Sequence, residues 1–220
     1  MTQVQYLGYI IDEKCVYVDP TKIQVLWDWP APTTLIELHR FLGLANFYSR
    51  FVLGFSHITW LLSQVTKGQE KAKFFWFKTQ QQAFFELNNR LYFAPVLTLP
   101  DLQQPFEIEI NASDYAIGAV LTHHGHLVAY HSETLSDIVQ TYPTYDKEMY
   151  SIMQACHQLK HYILGKETVI HTNHRPLQFI QTQGKLQNDC HHKWSTYLQQ
   201  FHLKIKYKNE NTNNVIDCLN

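Results

Sequence analysis

Cysteine is scarce: Cys15, Cys156, Cys190 and Cys218 are scattered through 220 residues with no CxxC pair. With no signal peptide either, a disulfide-stapled secreted domain is not expected. A reduced, intracellular protein is, cytoplasmic or nuclear. No apolar run reaches the length of a membrane-spanning helix, so a soluble chain without a membrane partner is expected. An excess of one charge sign is lacking too. The formal net charge is −1, so no global positive field advertises a polyanion, and only local basic patches stay open. Repeats and low-complexity tracts are absent. What remains is a globular composition, 45% apolar and 17% charged, long enough for one large domain or two small ones.

Residues 4–18 read as two short strands about a turn at Asp12-Glu13-Lys14, a pair marginal in water by itself. Asp19 as N-cap and Pro20 at the first helical position open a helix that ends at Pro30. Thr34 and Glu37 form a capping box for the next, whose Leu38, Phe41, Leu42, Ala45, Tyr48, Phe51 and Val52 keep the three-four spacing of one buried face. A third helix follows Ser56 and stops near Gly68. A fourth follows Thr79, with Gln82 at the capping-box position and Ala83 and Leu87 turned inward. The aromatics between Phe74 and Phe85 read mostly as core and interface packing. Pro95, Pro100 and Pro105 stiffen the connection that follows.

From Phe106 the pattern changes to strict alternation. Phe106, Ile108 and Ile110 point one way, Glu107, Glu109 and Asn111 the other, which predicts a strand with one buried face. A turn at Ala112-Ser113-Asp114, a second strand and a hairpin at His124-Gly125-His126 come next. Then come a strand (127–132), a helix (144–164), a strand (168–172), helices at 176–182 and 191–201, a strand (203–208) and a helix beginning near Val215. The expected class is α+β or α/β: a small helical bundle, then a mixed five-stranded sheet with flanking helices.

Glu148 lies on or beside the apolar face formed by Tyr145, Met149, Ile152, Met153, Cys156 and Leu159. It is either a site carboxylate or a rim glutamate near the helix start, where the macrodipole favours an anion. Asn173 ends its strand as Asn111 ends the first, and Asp217 stands between Ile216 and Cys218. Each of the three is alternatively a turn residue or a cap. His123-His124-Gly125-His126 and Cys190-His191-His192 lack the paired spacing of a structural zinc site and read as surface histidines. Lys185, Lys193, Lys204, Lys206 and Lys208, interleaved with Trp194 and Tyr197, are either a solvated face or a surface that tracks a nucleic-acid backbone.

Several strings resemble the pol polyprotein of Gypsy-type LTR retrotransposons. Tyr6-Leu7-Gly8-Tyr9-Ile10-Ile11 is similar to the hairpin closing the reverse transcriptase palm. Val18-Asp19-Pro20-Thr21-Lys22-Ile23 and Phe41-Leu42-Gly43-Leu44-Ala45-Asn46-Phe47-Tyr48 are similar to the thumb. Ala112-Ser113-Asp114-Tyr115-Ala116-Ile117-Gly118-Ala119 and Tyr145-Asp146-Lys147-Glu148 are similar to the ribonuclease H domain. The resemblance implies a palm end at 1–19, a thumb-like region at 20–94, a connection at 95–105 and a ribonuclease-H-like domain at 106–220 with its last helix cut short. It also implies RNA:DNA hybrid as partner, Mg2+ or Mn2+ as cofactor, and cleavage of the RNA strand. The fingers and most of the palm are missing, so polymerisation by this chain alone is not expected.

In that family four acids hold two divalent cations roughly 3.5–4 Å apart, one activating water and one supporting the leaving oxygen. Here only Glu148 and Asp217 match the acids, as catalytic and metal-ligating residues. Asn111 and Asn173 stand at the other two positions. Two amides leave about two positive charges uncompensated, so the metals are expected to be weakly held or absent and the nuclease dead or nearly so. Glu109 and Asp146 are the nearest substitutes, but a displaced carboxylate rarely restores site geometry. Three readings follow: an inactive pol fragment, a non-catalytic nucleic-acid-binding module, and a residually active ribonuclease H.

Overall fold

Asp19 shows how the helical half is set up. Its carboxylate accepts from the Thr21 backbone N–H at 2.9 Å and caps α1 (Pro20–Trp27), with Pro20 at the helix start. The computed structural model describes residues 3–66, 74–179 and 189–209. Ahead of α1 come β1 (Val4–Tyr6), β2 (Tyr9–Ile11) and β3 (Cys15–Val18). They are three strands where two were expected. The extra turn sits at Leu7 and Gly8, both in the left-handed region with φ 49° and 81°. A Cβ on Gly8 would meet the Tyr48 hydroxyl at 2.7 Å, so glycine is required there for space as well as for φ.

α2 (Leu35–Phe47) is capped by the Thr34 hydroxyl, which accepts from Glu37 N at 3.2 Å. The Glu37 carboxylate reaches back to the backbone and hydroxyl of Thr33, one residue before the expected partner. α3 (Phe55–Ser63) starts after Gly54, not after Ser56. α4 (Lys78–Tyr92) starts after Phe77, and Gln81 is engaged by the Trp76 indole. The predicted stripe is the core: Leu38, Phe41, Ala45 and Phe51 have no exposed surface, and Ala83, Phe84, Leu87 and Leu91 close over them. Each such large side chain contributes about 1.5–3 kcal/mol through burial. Phe75, Phe77 and Phe85 are instead exposed. The connection at 95–105 is more than a tether, because β4 (Leu97–Thr98) pairs antiparallel with β3 and completes a four-stranded sheet.

The second half is a five-stranded sheet. β5 (Phe106–Ala112), β6 (Ala116–His123) and β7 (His126–Thr134) form an antiparallel meander. After the one-turn α5 (Asp137–Gln140), α6 (Thr144–Gln158) breaks at Leu159 into the short α7 (Lys160–Ile163), where one helix to residue 164 was expected. β8 (Glu167–Thr172) lies parallel to β5. The helix expected at 176–182 is a 3-10 turn over Arg175–Phe179, and residues beyond it lie outside those described until α8 (Asp189–Leu198). β9 (His202–Tyr207) joins parallel to β8, which gives the order β7-β6-β5-β8-β9. Phe106, Ile108 and Ile110 face Met149, Ile152 and Cys156 of α6, all fully buried. Ala116 and Val120 point to the other side, where Leu53 of the helical half covers them. Two further contacts fasten the halves there: Ser56 N donates to Ser132 Oγ at 2.9 Å, and Trp60 stacks on Tyr115 at 5.0 Å.

Candidate functional site

Parallel pairing of β5 and β8 puts Glu109 opposite His171, and two residues on the strands bring Asn111 and Asn173 side by side. The Asn173 amide donates to Asn111 Oδ1 at 3.2 Å. Asn111 is 5% exposed, so this polar group is buried and needs the bond. α6 packs across β5 and carries Glu148, which at 2% exposure is no rim residue. Asp217, and the helix expected around it, lie outside the described residues.

Both acids that could have substituted are committed elsewhere. Asp146 Oδ1 lies 2.8 Å from Nε2 of the buried His191, whose ring is also flanked by Tyr145 and Trp194. Glu109 Oε1 accepts from Lys208 Nζ at 2.5 Å, and the neighbouring Glu107 meets His171 at 3.1 Å. Burial holds the His174 imidazole below its ordinary range, and burial followed by the Asp146 charge raises the Tyr145 hydroxyl. These partners are 45 and 99 residues apart for Asp146 and Glu109, and no local pattern in the sequence signals them.

A pair of hard dications wants several anionic oxygens converging on one point. Among the described residues the donor set is one buried carboxylate and two neutral amides bonded to each other, and no group of three or more His, Cys, Asp or Glu side chains could hold a metal ion. The residues described do not fit a two-metal centre. The histidine clusters are only partly on the surface as expected: His124, His126 and His192 are exposed, while His123 and His191 are buried.

The candidate lysines do not share one surface. Leu203 turns into the core beneath α8 with Ile205 packed against it, so Lys204 and Lys206 are exposed on the sheet face away from α8. Lys193 is exposed on α8 itself, Lys208 is held by Glu109, and Lys185 lies outside the described residues. A cleft of 960 Å³ sits elsewhere, in the helical half, lined by Trp27, Trp29, His57, Phe85 and Arg90 among others.

A mixed sheet in this order, half antiparallel and half parallel, with a buried glutamate on the covering helix and paired polar residues closing two central strands, defines a ribonuclease-H-like domain. Residues 101–201 match the RNase H-like domain found in reverse transcriptase. The likeness extends further. The chain is 30% identical over 99% of its length to the retrovirus-related Pol polyprotein from transposon opus of Drosophila melanogaster, covering 23% of that protein. It is 32% identical over 98% of its length to the corresponding gypsy polyprotein, covering 22%. The Tf2-3 polyprotein of Schizosaccharomyces pombe is 31% identical over 99% of this chain and 17% of its own length. Along nearly its whole length the chain is similar to retrotransposon Pol polyproteins, and it spans about a fifth of the length of the curated relatives it matches. In fold it is similar to the foamy viral protease-reverse transcriptase solved with dsDNA, with TM-score 0.80 and 21% identity over 96% of this chain and 45% of that one. The same enzyme with an RNA/DNA hybrid gives 0.79 over 94% of this chain and 29% of that one. No helix among the described residues is long and apolar enough to cross a membrane.

Proposed function

We propose that this chain is a reverse transcriptase/ribonuclease H segment in which metal-dependent cleavage of the RNA strand of RNA:DNA hybrids is lost or strongly impaired. The observation that carries the reading is the amide-to-amide bond between Asn111 and Asn173. It stands at two positions where the family needs anionic ligands for Mg2+ or Mn2+. In the proposed division, residues 1–19 close a palm, 20–94 serve as a thumb, 95–105 connect and 106–220 form the ribonuclease H domain. Glu148 and Asp217 are the retained acids. The roles left to the chain's own residues are structural: Glu148 sets a carboxyl group on the buried face of α6, and Asn111 and Asn173 supply only neutral dipoles.

The test is hydrolysis of a labelled RNA:DNA hybrid by the purified chain in magnesium and in manganese. Negligible cleavage is expected. Robust cleavage that disappears in Glu148→Gln overturns the proposal. A second reading, binding of nucleic acid without cleavage, draws on the exposed Lys193, Lys204 and Lys206. It requires hybrid binding that weakens steeply as salt is added, because displaced counterions dominate such contacts. Binding that is absent or indifferent to salt removes it.

A further inference from the structure

We infer that the Asn111–Asn173 pair is a metal-free clasp that ties together the ends of β5 and β8. The inference rests on the proposed function, and it turns the amides from a defect into a working part of this fold. Two like residues sit side by side at the ends of adjacent parallel strands, in the register set by Glu109 opposite His171. Two carboxylates so placed repel each other, and neither can donate a hydrogen bond, so the strand ends stay together only with a cation or a shared proton between them. Two amides each carry a donor and an acceptor and can bond directly, as the 3.2 Å bond from Asn173 Nδ2 to Asn111 Oδ1 does. Nearby carboxylates are engaged with other partners, Glu109 with Lys208 and Asp146 with His191. Bridging by an ion is thereby replaced by the amide-to-amide hydrogen bond, and folding of this region becomes indifferent to divalent cations.

The chemistry makes an uncommon prediction about combined substitutions. In Asn111→Asp the new carboxylate still accepts from the Asn173 amide. In Asn173→Asp the Asn111 amide rotates and donates instead. Each single variant keeps one bond. Only Asn111→Asp with Asn173→Asp loses it and sets two negative charges together. The experiment is thermal unfolding of the full chain and these three variants, in EDTA and over a magnesium chloride titration.

The unsubstituted chain and both single variants are expected to unfold at temperatures that magnesium does not move. The double variant is expected to lose more in EDTA than the two single losses combined, and to recover as magnesium rises, because an ion bound only by the folded state stabilises it by mass action. A double variant as stable in EDTA as the sum of the singles overturns the clasp while leaving the proposed loss of cleavage intact. Stabilisation of the unsubstituted chain by magnesium that vanishes in Glu148→Gln overturns the proposed function itself. If the double variant does not fold even with magnesium, the decision passes to Asn173→Leu, which removes the bond without adding charge. A stability equal to that of the unsubstituted chain then refutes the clasp, and a clear loss, equal in EDTA and magnesium, supports it.

Discussion

His131 offers a test of the sheet's interior that is independent of any catalytic question. It lies half-buried on β7 opposite Ala119, and its Nε2 is sealed from solvent with no hydrogen-bond partner among the described residues. Burial pushes its pKa down to about 4, against an ordinary 6.5. The sign follows directly. The unfolded chain takes up a proton near the ordinary value, and the folded chain refuses it until near the lowered one, so stability is full above the former and falls as pH drops between the two. Each unit is worth about 1.4 kcal/mol, so the interval from about pH 7 to about pH 5 removes about 2 kcal/mol in the ideal case. Because the residue is only half-buried, solvent screening lowers that to roughly 1–2 kcal/mol. His57, His123, His161 and His174, all lowered chiefly by burial, act in the same direction and set a background slope. Urea unfolding across this range, compared between the native chain and His131→Met, isolates the one imidazole. Methionine fills the space without a polar atom and relieves an unmet nitrogen that costs about 1–3 kcal/mol, so the variant should be no less stable at neutral pH and flatter below it. Parallel stability curves for the two proteins refute the reasoning.

Four shorter predictions accompany it. Phe41→Ala, at a side chain with no exposed surface in the centre of the helical core, should cost about 3–5 kcal/mol in urea unfolding; a loss below about 1 kcal/mol contradicts the packing described. The stack of Trp60 on Tyr115 should appear as a coupling of about 1 kcal/mol in a double-mutant cycle to alanine, and additive losses argue against a docked pair of halves. Asn111→Asp with Asn173→Asp should raise hybrid cleavage in magnesium by at least about a hundredfold, since each restored ligand is worth several kcal/mol of charge stabilisation; no gain shows that the amides are not the lesion. If the chain binds hybrid through Lys204 and Lys206, replacing either by alanine should lower the salt slope by about 0.9 per contact, and an unchanged slope clears that face of a role.

The strands and helices that face the core were legible because their signals are local. Alternation at Phe106, Ile108 and Ile110 and the stripe from Leu38 to Val52 both describe surfaces the fold buries. Glu148 could be singled out for the same reason, being polar on or beside the apolar face of its helix. Asn111 stood out only as the polar residue ending its strand, since alternation groups it with Glu107 and Glu109 on the other face, and its burial comes from the finished fold. What stayed hidden is non-local or conformational. β4 is two residues between prolines, recognisable only by its pairing with β3. The turn splitting β1 from β2 requires Leu7 in the left-handed region, which a leucine does not advertise. Exposure of Phe75, Phe77 and Phe85 contradicts their composition, and nothing in periodicity predicts it. The commitments of Asp146 to His191 and of Glu109 to Lys208 decide which acids are left near the amide pair, and both depend on the finished topology.

The central claim concerns negative charge, and calorimetric titration of magnesium and manganese into the purified chain measures it most directly. The account predicts no saturable binding that depends on Glu148. Two ions taken up per chain, and lost on Glu148→Gln, would contradict it.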